Sequence, residues 1–202
     1  MTLPIPIAFV NQQFAKMHFV SQLAALALTA ATLASANTMT FQNQDDTTRK
    51  VIITPTEGCA QIDSVEIEGH GEATIEFPQG WIGNAYSISE GNDDTGRGML
   101  AEVTFQGFND QTYFDVSAIV DPNDKNGVKM MYPVSESNKA SQSSFSGCKV
   151  FPCNSAYYKA DDVQTAVTEE VDLIVTLGTY EDLETRDIEP QYFPRDYVLG
   201  KH

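Results

Sequence analysis

The chain has 202 residues, 28 of them acidic and 12 basic, for a formal net charge of −16. That charge repels phosphate backbones and no basic stripe offsets it, so nucleic acid is not an expected partner. Three histidines and three cysteines are too few and too scattered for a zinc centre or a serine or cysteine hydrolase with a histidine base, and no cofactor or metal is expected.

Residues 1–36 read as a secretory leader. Lys16, Met17 and His18 precede an apolar run from Phe19 to Leu33, and Ala34-Ser35-Ala36 supplies the small-x-small cleavage pattern. The leader reads best from Met17, which sets residues 1–16 apart as the product of an upstream start. The run is too short and alanine-rich for a good membrane span, and no later run approaches spanning length. A soluble, secreted, extracellular chain with no membrane partner is therefore expected. Removing residues 1–36 takes away one charge, Lys16, and leaves the remainder more acidic still.

From residue 37 the apolar pattern has a period of two. Strands are expected over 38–42, 50–54, 82–88, 99–105, 112–120, 127–132 and 171–177, with turn residues between them. Val65 and Ile67, then Ala73, Ile75 and Phe77, alternate with acidic or polar residues on either side of Gly69-His70-Gly71, which reads as a hairpin with His70 exposed at its tip. One short helix is expected over 161–170. This pattern describes an all-β, jelly-roll-like β-sandwich spanning 37–179, with a single monomeric domain as the expected unit. Residues 180–202 form an acidic tail with Pro190 and Pro194 and too few spaced apolar residues to bury a face, so it is expected to be peripheral.

All three cysteines, Cys59, Cys148 and Cys153, follow the leader into an oxidising compartment. Three pairings are open. Cys148–Cys153 is favoured because Lys149-Val150-Phe151-Pro152 can turn between them. The serine-rich stretch 135–147 reads as a polar surface loop or an O-glycosylation site. Asp121-Pro-Asn-Asp-Lys-Asn-Gly127 reads as a turn rather than a calcium loop, since Lys125 takes a ligand position and no glutamate closes it.

The chemistry-bearing residues lie on two neighbouring strands. Met99, Ala101, Val103 and Phe105 share one face, and Phe114, Val116, Ala118 and Val120 share another. Setting Val103 against Phe114 and Ala101 against Val116 places Glu102 beside Asp115 on the opposite face; a one-residue slip destroys that match, whereas a two-residue slip does not. Adjacent carboxylates raise one another's pKa, and such a pair serves an acid and a base, a nucleophile, or a site for a cation or sugar hydroxyls. Alternating acids also occur as an ordinary solvated strand face. Asp121 and either Asp161 or Asp162 extend the set to a ring of acids, while Trp81, Tyr86, Tyr157 and Tyr158 offer either a sugar-stacking surface or core and rim.

Three blocks, Met99-Leu-Ala-Glu-Val-Thr-Phe105, Tyr113-Phe-Asp-Val-Ser-Ala-Ile-Val-Asp121 and Cys153-Asn-Ser-Ala-Tyr-Tyr-Lys-Ala-Asp-Asp162, resemble the thaumatin-like (osmotin) family in sequence and order. The resemblance implies a thaumatin-like sandwich with an acidic cleft formed by Glu102, Asp115, Asp121 and Asp161, Asp162 being a near equal, with Arg97 close to the family's arginine. It implies a secreted protein binding cell-wall β-glucan or a related polysaccharide. The alternatives are a β-1,3-glucanase with Glu102 as proton donor and Asp115 or Asp121 as second carboxylate, an effector or inhibitor that binds a host or cell-wall protein, and, third, a metal-dependent nuclease. N-terminal sequencing of the secreted protein is expected to begin at Asn37; retention of residues 1–30 is the contrary result.

Overall fold

The computed structural model describes residues 36–179 except 125, 140 and 141. The leader over 1–36, the start at Met17 and the tail over 180–202 therefore lie outside the described residues, apart from Ala36.

Among the described residues eleven strands build two sheets: β1 Asn37–Asn43, β2 Arg49–Pro55, β3 Val65–Ile67, β4 Glu72–Phe77, β5 Ile82–Ser89, β6 Leu100–Thr104, β7 Thr112–Ser117, β8 Val128–Pro133, β9 Ser146–Gly147, β10 Ala166–Thr168 and β11 Asp172–Leu177. A five-stranded sheet has the order β4-β1-β11-β8-β9 and a six-stranded sheet the order β10-β7-β6-β5-β2-β3. The period-two pattern forms an all-β sandwich, because each strand has one face to bury and the facing sheet supplies the cover. Met39 and Phe41 of β1, Leu173 and Val175 of β11, and Met131 of β8 meet Val51, Ala85, Ala101, Val103, Phe114 and Val116 in one buried cluster. Trp81 is also buried there, its ring 4.7 Å from that of Phe77 and its indole N–H donating to the Ala60 carbonyl. Tyr86 is buried too, its hydroxyl donating to Asp94. Neither ring offers a stacking surface.

The expected hairpin over 65–77 does not form. β3 pairs with β2 in one sheet and β4 with β1 in the other, so Gly69-His70-Gly71 is a corner between sheets. Alternation fixes which side of a strand is buried but not which strand lies beside it. Here the corner is held by a neighbouring turn: the His70 N–H donates to the Asp45 carbonyl, and a Cβ on Gly69 would overlap the Asp46 carbonyl. His70 is exposed, as expected, and its ring meets the Asp46 carboxylate at 2.8 Å. The helix over 161–170 is also absent. Residues 166–168 are instead the edge strand β10, paired with Thr112–Phe114. β7 stops at Ser117 rather than at residue 120, because the chain at Tyr157 runs alongside there and takes the Ala118 N–H.

Cys148 and Cys153 are joined by a disulfide, and Cys59 is a free thiol. The serine-rich loop is pinned by the buried Glu136, which accepts from Lys139 Nζ at 2.7 Å, Ser143 N at 2.8 Å and Ser143 Oγ at 2.7 Å. Lys139 first, then Ser143, hold its carboxyl well below the usual range.

Polar side chains occupy inward positions at the ends of β1. Asn37 donates to the Pro78 carbonyl and to Gln106, whose amide donates back at 2.6 Å. At the other end the Arg49 guanidinium, 2% exposed, donates to Asn43, Ser89 and Asp45. Burial pushes the Asp45 carboxyl up, but the Thr179 N–H, Arg49 and the Thr47 N–H outweigh it and leave its pKa lowered. Asp45→Ala leaves a buried guanidinium short of its carboxylate and is expected to cost about 3–5 kcal/mol at pH 7, read by urea denaturation. Since the native pKa lies below the unfolded value, the carboxylate's contribution is present above about pH 4 and is lost as pH falls through the native pKa. The variant's deficit should shrink on acidification; a deficit independent of pH would contradict the account.

Candidate functional site

Glu102 of β6 lies directly opposite Asp115 of β7, with Val103 opposite Phe114 and Ala101 opposite Val116. The apolar pairs face the core, so the carboxyls point to the outer side of the six-stranded sheet. The register is the one expected from matching apolar faces. Asn84 of β5 lies opposite Glu102, extending the row.

Asp115 is half-buried. Its Oδ1 is shielded from solvent with no donor beside it, and its Oδ2 meets Thr165 Oγ1 at a long 3.4 Å. The Thr165 hydroxyl is itself 2.6 Å from the Tyr157 hydroxyl. Burial pushes the Asp115 carboxyl up, and the charge of Glu102 and a hydrogen bond to it push further, against a small opposing pull from Thr165, to about 7. Two carboxylates cannot hydrogen-bond without a proton between them. Asp115 therefore keeps its proton to about pH 7, and its ionisation beside Glu102 is opposed by burial and by the neighbouring charge.

Two residues along the strands, a second outward row runs Ile82–Thr104–Tyr113–Val167 across four strands. Its end members are exposed, Ile82 at 39% and Val167 at 44%. The Tyr113 hydroxyl donates to the carbonyl of Phe108, whose side chain is 77% exposed. The outer face thus combines an adjacent carboxyl pair with uncovered apolar side chains.

The other expected site residues are elsewhere. Arg97 donates from Nη2 to the Val120 carbonyl at 2.8 Å and, with Asp121, lines a cavity of about 410 Å³ whose wall also includes Asp93 and Asp124. Neither Glu102 nor Asp115 lines it. Asp161 is exposed in a turn. Asp162 accepts the Tyr158 and Lys159 N–H groups at 2.7 and 2.8 Å, so it folds that turn. The structure brings Glu102 to Asp115 and Arg97 to Asp121, as two separate groups. Sequence reasoning did not single out Thr165, Asp93 or Asp124. Thr165 sits one residue before β10, at the position that continues the pairing toward Asp115, and that signal was hidden by reading 161–170 as helix.

No family model matches the sequence. Antigenic protein SchS21 of Stachybotrys chartarum is 46% identical over 140 residues, covering 69% of this chain and 93% of that protein. The chain belongs to the SchS21 family. Among solved structures, the protein elicitor MoHrip2 from Magnaporthe oryzae superposes with a TM-score of 0.54 at 15% identity, over 71% of this chain and all of that one. At that identity the likeness is one of fold. The finer likeness of the three motif blocks to thaumatin-like proteins is no part of these matches.

Because Asp115 binds its proton more tightly when folded, the native state holds more protons than the unfolded chain between about pH 4 and 7, and stability falls as pH rises through that window. Asp115→Asn, which keeps a donor toward Glu102 and removes the second charge, should flatten this dependence and raise stability at pH 8 by on the order of 1–2 kcal/mol, a few degrees in Tm. An unchanged pH profile in thermal denaturation would remove the shared proton from the account.

Proposed function

We propose that this protein is secreted and acts outside the cell as an elicitor-type effector, binding a host protein through the outer face of its six-stranded sheet. The observation that carries the reading is the directly opposed Glu102–Asp115 carboxyl pair set beside exposed Ile82 and Val167. A mixed face of this kind supplies apolar area together with acceptors that fix orientation, as protein interfaces do. The Cys148–Cys153 disulfide suits an oxidising compartment. The family relative is described as antigenic and the fold neighbour as an elicitor, which agrees with a protein met by other organisms outside the cell.

Hydrolysis is the weaker reading of the same pair. The two carboxyls of a glycosidase stand roughly 5–9.5 Å apart, so that a sugar or a sugar and a water fit between them. Glu102 and Asp115 stand directly opposite on paired strands, with Cβ atoms about 4.5–5.5 Å apart, which leaves little room between their carboxyls. Polysaccharide binding without cleavage uses the same acceptors for sugar hydroxyls, and the glucan arm of the experiment separates it from protein binding.

Purified protein spanning 37–202, applied to host tissue, is expected to trigger a measurable defence response. The response should fall about tenfold or more in the double variant Ile82→Glu, Val167→Glu, whose positions are exposed and whose fold is checked by thermal denaturation. Laminarin should yield no reducing sugar, and insoluble β-glucan should not retain the protein. Glu102-dependent sugar release would replace this reading with a glucanase, and glucan retention lost in Glu102→Gln would replace it with a polysaccharide binder.

A further inference from the structure

The outer side of the five-stranded sheet holds a feature of the opposite charge. β8 carries a bulge: Thr176 pairs with Met130 and Leu177 with Val128, so Lys129 is an extra residue between them. A bulge re-aims one side chain while the strand on either side keeps its pairing. Val128 and Met131 stay in the core, and Met130 and Tyr132 pack with Ile174 in a separate cluster outside it. Lys129 is 5% exposed, and its ammonium stands 5.4 Å from the centre of the Phe151 ring. An aromatic face offsets part of the cost of burying that charge, and an anion offsets more.

Lys129 lines a cavity of about 180 Å³ together with Lys149 of the disulfide loop. Met130 and Tyr132 supply apolar wall, and Gln44, Ser137 and Gln142 supply polar groups. No acidic side chain is among the described residues of the lining, although the chain carries 28 acids against 12 bases. Glu136, next to Ser137 in sequence, is already taken up by Lys139 and Ser143. The side chains of Lys149, Gln44, Gln142 and Ser137 have no hydrogen-bond or ion-pair partner among the described residues, so their donors are open to a ligand. An apolar wall with a few convergent polar groups is the anatomy of a small-molecule pocket.

We propose that this cavity binds a carboxylate carried on a short apolar body, its oxygens held by Lys129 and Lys149 and its hydrocarbon lying on Met130 and Tyr132. The two lysines select an anion, and the glutamine amides add donors. In the field of so acidic a chain a singly charged carboxylate is repelled less than a doubly charged phosphate. A volume of about 180 Å³ suits one small group rather than a polymer. The carboxylate arrives at the C-terminus of a peptide or as a free organic acid, and the chemistry that recognises it is the same. The site lies on the five-stranded sheet, so it does not depend on the interaction proposed for the outer face of the six-stranded one.

Calorimetry and backbone amide NMR on protein spanning 37–202 test it with sodium hexanoate, acetyl-leucine, the uncharged acetyl-leucine amide and sodium phosphate. Saturable binding of hexanoate or acetyl-leucine is expected, shifting the amides of Gln44, Gln142 and Lys149, weakened by salt and absent with the amide. Lys149 is exposed, so Lys149→Gln should weaken binding about tenfold with thermal stability unchanged, and Lys149→Glu should abolish it. Lys129→Met should weaken it at least as much as Lys149→Gln; if that variant does not fold, the Lys149 pair decides. Preference for acetyl-leucine identifies a peptide terminus as the source, and preference for hexanoate a free acid. Absence of saturable binding, equal binding of the amide, phosphate bound more tightly than either carboxylate, shifts confined to other residues, or Lys149 variants that bind like the wild type each overturns the proposal. Failure of the sheet-face variants to alter elicitor activity leaves these shifts unaffected, so the two readings fail separately.

Discussion

Arg49 is the point at which the two sheets are tied. It belongs to β2 of the six-stranded sheet, and it reaches Asn43 at the end of β1 and Asp45 just beyond, both on the side of the five-stranded sheet. Asp45 in turn accepts the Thr179 N–H, where the chain leaves β11. A hydrophobic core alone permits two sheets to slide and rotate, since apolar contact is non-directional. A nearly inaccessible guanidinium with fixed donors does not, because any slide strands a charge without partners. The third recipient, Ser89, ends β5 and stands in the wall of the acidic cavity. The geometry of that end of the molecule is therefore set by a buried ion pair.

The carboxyl pair on the outer face obeys the opposite logic. Arg49 and Asp45 lower the cost of burial by being oppositely charged, whereas Glu102 and Asp115 lower it by holding a proton. In a chain of net charge −16, that proton removes repulsion at a place where two carboxyls are forced into register. A binding partner that donates a hydrogen bond or a positive charge does the same work, so association and deprotonation are linked: a cationic donor favours the doubly ionised pair.

Much of this was legible in the sequence, in a way that divides by physical cause. Strand parity is local, and it placed Glu102 on the same face as Asp115; the exact pairing, which a two-residue slip would also have satisfied, came from the structure. The Cys148–Cys153 pairing was legible because five residues of separation limit where the sulfurs can go. Sheet membership was not local. Nothing in Val65 to Phe77 shows that β3 and β4 part company, since the corner depends on Asp45 and Asp46 from an earlier turn. The acidic ring failed for a similar reason: Asp121 and Asp162 each serve the backbone of their own turns, a role that depends on loop dihedrals no alternation pattern records.

The pairing of β1 with β11 is parallel and central to its sheet, and the Thr38–Asp172 hydrogen bond spans 134 positions of sequence. It imposes an order of assembly. The β5-β6-β7 meander closes over short loops and can form as soon as it is synthesised, but β1 has no inner neighbour until the last strand has emerged. Half of the sandwich must wait for β11, with Met39 and Phe41 uncovered in the meantime. The sandwich therefore closes only once β11 joins β1.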